Sequence, residues 1–235
     1  MASVAAVAAQ VRPGGADRTE GAAEATPAAA TPSRWTGMAP EQRRTERRRL
    51  LLDAAFDLLG EGGDAITVRA VCERARLNPR YFYESFTDRN HLLVGLYDEV
   101  ASALAVEVAA ALQQVDDLAS ATRAGIDTVF RFVVADPRRA QILYTEGIDL
   151  EPLAHRRQAT TDALVDSLVG PVEAGAAAGI TRAPVVQPID IVAASMFTGG
   201  VSAILMSWLA GRIPATLDEV IDDAVVLALG VFHAR

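Results

Sequence analysis

Apolar residues recur every three or four positions along most of the chain after residue 39. This period is typical of helices that bury one face, whereas half-buried strands alternate apolar and polar residues. Over residues 40–59 the pattern predicts a helix with one apolar stripe, formed by Leu51, Ala54, Ala55, Leu58 and Leu59. No alternating run is long enough for a strand. The pattern therefore predicts an all-α protein of about nine helices.

Capping residues indicate where the helices begin. Thr67 is a candidate N-cap for a helix that runs to Ala75. Asn78 followed by Pro79 is typical of a helix start, and that helix ends near Phe86. Another helix is expected from Thr87 or Asp88 to Leu112 or beyond. Later helix starts are predicted at Pro137, Pro152, Pro188 and Thr216, the last in a capping box with Glu219.

Composition divides the chain into three parts. Residues 1–38 are rich in Ala, Pro, Gly and Thr and predict a disordered N-terminal arm. The first ten residues contain no basic residue, which argues against a signal peptide. We expect a small helical domain over residues 39–95 and a larger one over residues 96–235. The single cysteine, Cys72, excludes a disulfide framework.

Charge is distributed unevenly. The net charge is −8, which makes the whole chain a poor candidate for nucleic-acid binding. Residues 41–91, however, carry ten Arg against nine acidic residues, whereas residues 92–235 carry nine Arg against eighteen. Five of the Arg lie between residues 43 and 49. Such a cluster is either a solvated helix face or the start of a nucleic-acid contact.

The residues after this cluster favour the second interpretation. Two short helices, separated by a three-residue break before Asn78-Pro79, are typical of a helix-turn-helix. In the second helix Phe82 and Phe86 share one face and are expected to pack inward. The other faces carry candidates for DNA contact: Arg80, Tyr81 and Glu84. Arg80 suits guanine, and Glu84 either accepts from cytosine or orients Arg80. Tyr83 lies between the faces, where it either binds a phosphate or packs.

The same residues carry a resemblance to a known family. The matching positions are Leu51, Ala54, Ala55, Leu58, Gly62 or Gly63, Thr67, Val68, Val71, Ala75, Leu77, Tyr83, Phe86, Arg89, Leu92 and Leu93. Together they make residues 43–97 resemble the DNA-binding domain of TetR-family bacterial transcriptional regulators. The remaining chain has the length and the helical pattern of that family's ligand-binding and dimerisation domain.

The resemblance implies a role for each matched position. Thr67, Tyr83 and Arg89 would contact phosphates. Bases would be contacted by the start of the second helix, namely Asn78, Pro79, Arg80 and Tyr81. Arg44 and Arg48, in the basic cluster, would lie near the DNA backbone or the minor groove. Arg76 stands where the family usually has Gly; a left-handed conformation there costs roughly 1 kcal/mol, and the side chain would gain a phosphate contact.

The acidic second half is expected to bind a small molecule and a second copy of the chain. Residues 191–211 contain no charge, so this helix either spans a membrane or is buried between a core and a partner. The resemblance implies a four-helix dimer interface, for which the candidates are Gly199, Gly200, Ala203, Val225 and Leu229. The candidate ligand-binding residues are Phe130, Arg131, Tyr144, Met196, Phe197 and Trp208. They indicate a largely apolar effector.

Other functions find little support in the sequence. No nucleophile elbow, phosphate-binding glycine loop or zinc motif is present, and the three histidines are isolated. We therefore expect no enzyme activity, metal or cofactor. The hypothesis is a cytoplasmic homodimer that binds a palindromic double-stranded DNA operator and is released by a ligand, most simply as a repressor. The alternatives are a ligand-binding helical protein without DNA binding, or a membrane-associated protein that uses residues 191–211.

Overall fold

The structure, a computed structural model, describes residues 38–144, 151–177 and 188–233. Within these residues every regular element is helical, which confirms the predicted all-α fold. Their nine α-helices are α1 Pro40–Leu59, α2 Val68–Ala75, α3 Pro79–Tyr83, α4 Arg89–Leu112, α5 Leu118–Ala135, α6 Pro137–Tyr144, α7 Glu151–Ala177, α8 Pro188–Leu209 and α9 Leu217–His233. A short 3₁₀ helix, Gly63–Ala65, follows α1. The predicted arm, apart from Met38, lies outside the described residues.

The described residues divide into two units, residues 38–43 and those from Arg44 onward. In the first unit, α1 begins with a hydrogen bond from the Ala39 N–H to Gln42 Oε1 at 3.1 Å and another from the Arg43 N–H to the Ala39 carbonyl at 3.0 Å. The second unit contains the rest of α1 and all later helices. Helix α4 runs without interruption through the boundary predicted near residue 95, and that boundary stays a prediction.

The main hydrophobic core of the described residues lies in this second unit. Its fully buried side chains come from helices far apart in the sequence and include Leu51, Phe82, Leu92, Phe130 and Leu205. Helix α5 packs against both α4 and α9, and α8 packs against α7 and α9. Helix α4 also contacts α6 and α7, and its Gly95 lies close to Arg48 and Leu52 of α1, so α4 connects α1 to the later helices.

The helix starts follow the local hydrogen bonds that the sequence predicts. Asp88 caps α4, and its Oδ1 accepts from the His91 N–H at 2.8 Å. At α9, Glu219 Oε2 accepts from the Thr216 N–H at 2.8 Å, and Thr216 Oγ1 accepts from the Glu219 N–H at 3.3 Å. These reciprocal bonds confirm the capping box. Gly211, at φ +70°, lies just beyond the end of α8, where a left-handed conformation turns the chain.

Candidate nucleic-acid interface

Helices α2 and α3 form a helix-turn-helix. Thr67 caps α2, and its Oγ1 accepts from the Ala70 N–H at 3.1 Å. After α2, Arg76 adopts the left-handed conformation, with φ 54° and ψ 44°. The Leu77 N–H then bonds to the Cys72 carbonyl at 2.9 Å, which closes the helix end in the way that a glycine usually does. The turn therefore forms with Arg76 in place of Gly.

Helix α3 presents one buried face and one exposed face. Asn78 Oδ1 accepts from the Arg80 N–H at 2.9 Å, which confirms the predicted cap. Phe82 and Phe86 are buried as predicted, and their rings lie 5.6 Å apart. The regular helix ends at Tyr83, and a further turn continues it to Phe86. The outward face thus carries Arg80, whose side chain is 82% exposed, and Tyr83, which is 61% exposed.

Glu84 is bound from two sides. Its Oε1 accepts from Arg80 Nε at 3.2 Å, one helical turn away, and its Oε2 accepts from Arg47 Nη2 at 3.1 Å. The Arg47 guanidinium also lies over the Tyr81 ring, 4.5 Å from its centroid. The Glu84 carbonyl accepts from Arg44 Nη2 at 3.2 Å. The basic cluster of α1 therefore contacts α3 directly.

Arg48 makes a similar contact one turn away. Its guanidinium lies 4.3 Å from the centre of the Phe86 ring, and Nη1 donates to the Ser85 carbonyl at 3.2 Å. A Cβ at Gly95 would come within 3.0 Å of Arg48 Nη2 and 3.2 Å of the Phe86 ring, so α4 approaches closely here. The predicted DNA contacts of Arg44 and Arg48 stay predictions, and in this structure both side chains hold α3 in place.

Two residues have roles that the sequence reasoning did not assign. Arg47, four residues before Leu51 on the inward stripe of α1, contacts both Glu84 and the Tyr81 ring. Arg89, expected to bind a phosphate, donates from Nε to the Ile66 carbonyl at 2.5 Å and from Nη2 to the Gly63 carbonyl at 2.9 Å. These bonds connect the start of α4 to the chain segment before α2. A phosphate contact by Arg89 stays a prediction.

A surface hollow of about 650 Å³ lies beside the helix-turn-helix. Its lining includes the apolar residues Val68, Cys72 and Leu77 and the exposed ring of Tyr83. Burial raises the pKa of the Cys72 thiol, which keeps it neutral at ordinary pH. Cys72 therefore behaves as a small packing residue.

The predicted ligand-binding residues lie in different environments. Phe130 is fully buried in the core, and both Phe197 and Trp208 pack against that core. Trp208 Nε1 donates to the Ala215 carbonyl at 2.8 Å, which attaches the end of α8 to the loop before α9. Met196, by contrast, is 59% exposed. A ligand site shared by these side chains stays a prediction.

The two polar candidates of that set also have defined surroundings. Arg131 binds Asp127 one turn earlier on α5, at 2.9 Å, and Asp218 on α9, at 2.7 Å. Burial raises the pKa of Tyr144 to about 12, so its hydroxyl stays protonated at neutral pH. No group of three or more His, Cys, Asp or Glu within the described ranges is arranged to hold a metal ion.

The dimerisation candidates divide between exposed and buried positions. On α8, Val192, Met196, Gly199 and Ala203 form one exposed stripe at helical spacing, and the neighbouring Gly200 is half-buried. On α9, Val225 is buried and Leu229 packs against the core of the same chain. The outward apolar residues of α9 are instead Val226 and Leu227.

Helix α8 also meets a membrane criterion. Residues 190–209 are long and apolar enough to cross a bilayer by length and composition alone. Core helices of soluble proteins pass the same test. The criterion therefore does not separate a membrane span from an apolar surface that a protein partner covers.

Fold and interface together define an all-α helix-turn-helix protein. Its fold is that of TetR-family transcriptional regulators. A TetR-family regulator from Syntrophomonas wolfei superimposes with a TM-score of 0.62 at 18% identity, over 78% of this chain and 93% of that one. FadR from Bacillus subtilis, solved in complex with stearoyl-CoA, superimposes with a TM-score of 0.59 at 14% identity, over 77% and 96% of the two chains. Identities this low define the fold alone.

Sequence comparison gives a shorter match. No protein-family model matches the chain. An uncharacterized HTH-type transcriptional regulator of Haemophilus influenzae is 27% identical over 106 residues, which are 44% of this chain. The match spans about half (52%) of the length of that relative.

Proposed function

We propose that the chain is a cytoplasmic transcriptional regulator that binds a palindromic DNA operator as a homodimer. The observation that carries the proposal is the exposed face of α3, with Arg80 and Tyr83 outward and Phe82 and Phe86 buried beneath them. In helix-turn-helix proteins a helix in this position enters the major groove. The relatives' names, which are those of regulators rather than enzymes, support the same function.

The interface divides into base contacts and phosphate contacts. Arg80, near the start of α3, reads a base, because its guanidinium is exposed and can donate to guanine in a bidentate way. Thr67, Arg76 and Tyr83 contact phosphates, which position the protein without reading the sequence. All three are exposed.

Selection from random duplex DNA tests this proposal. The full chain is expected to enrich one near-palindromic sequence at about 150 mM salt with competitor present, since phosphate contacts alone give unspecific, salt-dependent binding. Arg80→Ala should cost about 1–3 kcal/mol and relax the preference at one base pair, whereas Tyr83→Phe should weaken all sequences about equally. Arg69→Ala is the matched control, because Arg69 is also exposed and paired one turn away. Enrichment of no sequence would favour a ligand-binding protein without DNA binding.

The apolar surfaces of α8 and α9 support the homodimer. The exposed α8 stripe at Val192, Met196, Gly199 and Ala203 and the exposed Val226-Leu227 pair on α9 would be buried against a second copy. A two-fold dimer would also let the two copies of α3 enter major grooves one turn of DNA apart, about 34–36 Å. A Cβ at Gly199 meets no atom within 4 Å, so the surface there is open.

Gly199→Arg tests the dimer. The single chain accommodates a Cβ at this position, so the variant should fold but remain monomeric in light scattering. Gly125→Arg is the matched control, because a Cβ at Gly125 of α5 also meets no atom within 4 Å and the change in charge is the same. A dimeric Gly199→Arg protein would contradict this interface. A wild-type protein that stays soluble only in detergent would favour the membrane alternative.

Ligand release is the third part of the proposal. A largely apolar effector is supported by the apolar character of α8 and by the stearoyl-CoA bound in the structurally similar FadR. Arg138 of α6 pairs with Asp57 of α1 at 3.0 Å and lies over the Phe56 ring, 4.3 Å from its centroid. This contact would carry a ligand-induced shift of α6 to α1. Fluorescence anisotropy of the selected duplex tests ligand release, because added stearoyl-CoA should dissociate the protein from the DNA and lower the anisotropy. Asp57→Asn should reduce this ligand-induced loss of DNA binding.

A further inference from the structure

The Arg47–Glu84–Arg80 contact bears on how the chain distinguishes one base pair from another. Both carboxylate oxygens of Glu84 are occupied: Oε1 accepts from Arg80 Nε at 3.2 Å and Oε2 from Arg47 Nη2 at 3.1 Å. Each oxygen keeps a second lone pair, but the two guanidinium groups already fix where the carboxylate lies. Its geometry is that of a bridge between two arginines.

The two arginines that contact Glu84 differ in exposure. The Arg47 side chain is 14% exposed and lies against the Tyr81 ring, whereas the Arg80 side chain is 82% exposed. The packed Arg47 side chain therefore holds Glu84 in place, and Glu84 in turn contacts the exposed Arg80. Glu84, 35% exposed, connects the packed junction of α1 and α3 to the guanidinium at the surface.

An exposed arginine without such a partner samples many side-chain conformations. Binding a base requires a single conformation, and the conformational entropy lost in adopting it reduces affinity for the correct sequence. A carboxylate that holds Nε leaves the two Nη groups of the same guanidinium available for guanine O6 and N7. The negative charge of Glu84 also opposes approach to the phosphates of any duplex, and only a sequence that gives Arg80 a base contact offsets this repulsion.

From these contacts we infer that Glu84 is a positioning residue that sets base specificity through Arg80, with Arg47 as its anchor. The inference rests on the proposed DNA-binding function. Glu84 could have either of two roles. If it recognised cytosine directly, its loss would affect a base pair different from the one that Arg80 contacts. If it orients Arg80, the loss of either residue affects the same base pair.

The test uses the full chain and the duplex enriched by the wild-type protein, with each base pair substituted in turn. Glu84→Gln should reduce discrimination at the Arg80 base pair by about 5- to 150-fold, the range that a bidentate contact supplies. It should also bind random duplex more tightly than wild type, because one negative charge is removed from the interface. A purely structural defect would instead weaken binding to both duplexes.

Glu73→Gln is the matched control. Glu73 is paired with Arg69 one turn away on α2, at 2.7 Å, and its loss changes the net charge by the same amount. This variant should keep the wild-type profile of base preference. Arg47→Met, which keeps an unbranched side chain against Tyr81, should lose discrimination at the same base pair as Glu84→Gln.

The double variant Arg80→Ala/Glu84→Gln decides between the two roles. If Glu84 acts through Arg80, the double variant should show the same profile as Arg80→Ala. Loss of discrimination at a second base pair would overturn the inference and assign Glu84 a direct contact. An unchanged profile in Glu84→Gln would also overturn it while leaving DNA binding intact, whereas failure of the wild-type protein to select any sequence would remove the proposed function itself.

Discussion

The left-handed Arg76 makes a quantitative prediction about the turn of the helix-turn-helix. At φ 54° and ψ 44°, an L-residue brings its Cβ too close to the following carbonyl, which costs roughly 1–2 kcal/mol. Glycine has no Cβ and adopts this conformation freely, but it loses about 0.5–1 kcal/mol more backbone entropy on folding than alanine. We therefore expect Arg76→Gly to be more stable than Arg76→Ala by about 0.5–1 kcal/mol.

The comparison with alanine isolates the backbone, because both substitutions remove the arginine side chain. Ala103 is the control, because it is exposed in the middle of α4, where the backbone is right-handed. Glycine should therefore be less stable than alanine there, by about 1 kcal/mol. Urea unfolding measures all four proteins at one protein concentration, since the proposed dimer would make stability concentration-dependent. If Arg76→Gly is less stable than Arg76→Ala, the left-handed turn is not the conformation that the protein adopts.

Three further substitutions test the packing and the ionisation described above. Phe82→Ala, at a fully buried position, should cost about 3–5 kcal/mol in urea unfolding. Arg89→Met should destabilise by about 1–3 kcal/mol, because it leaves the carbonyls of Ile66 and Gly63 without their donor; a loss of DNA affinity alone would indicate a phosphate contact instead. The raised pKa of Tyr144 means that the folded state keeps a proton that the unfolded state loses, so stability should fall between pH 10 and about 12, and less steeply in Tyr144→Phe.

The helices and the helix-turn-helix could be predicted from the sequence alone. Helix starts at Thr67, Asn78 and Thr216 depend on hydrogen bonds to residues only two or three positions away, and the structure contains each of them. The two faces of α3 follow from helical periodicity, which places Phe82 and Phe86 on one side. Such features are local, so a short stretch of sequence is enough to predict them.

The contacts of the charged and apolar side chains depend on how the helices pack, which the sequence pattern does not show. Arg47 meets Glu84 across 37 positions of sequence, and Arg89 meets Ile66 across 23, so neither pair could be found from helical spacing. The exposed face of α9 could not be predicted from its sequence either, because apolar residues lie on all sides of that helix. Packing against α5 and α8 buries Val225 and leaves Val226 and Leu227 exposed. Periodicity shows that a helix has an apolar surface, but the neighbouring helices determine which part of that surface is left for a partner.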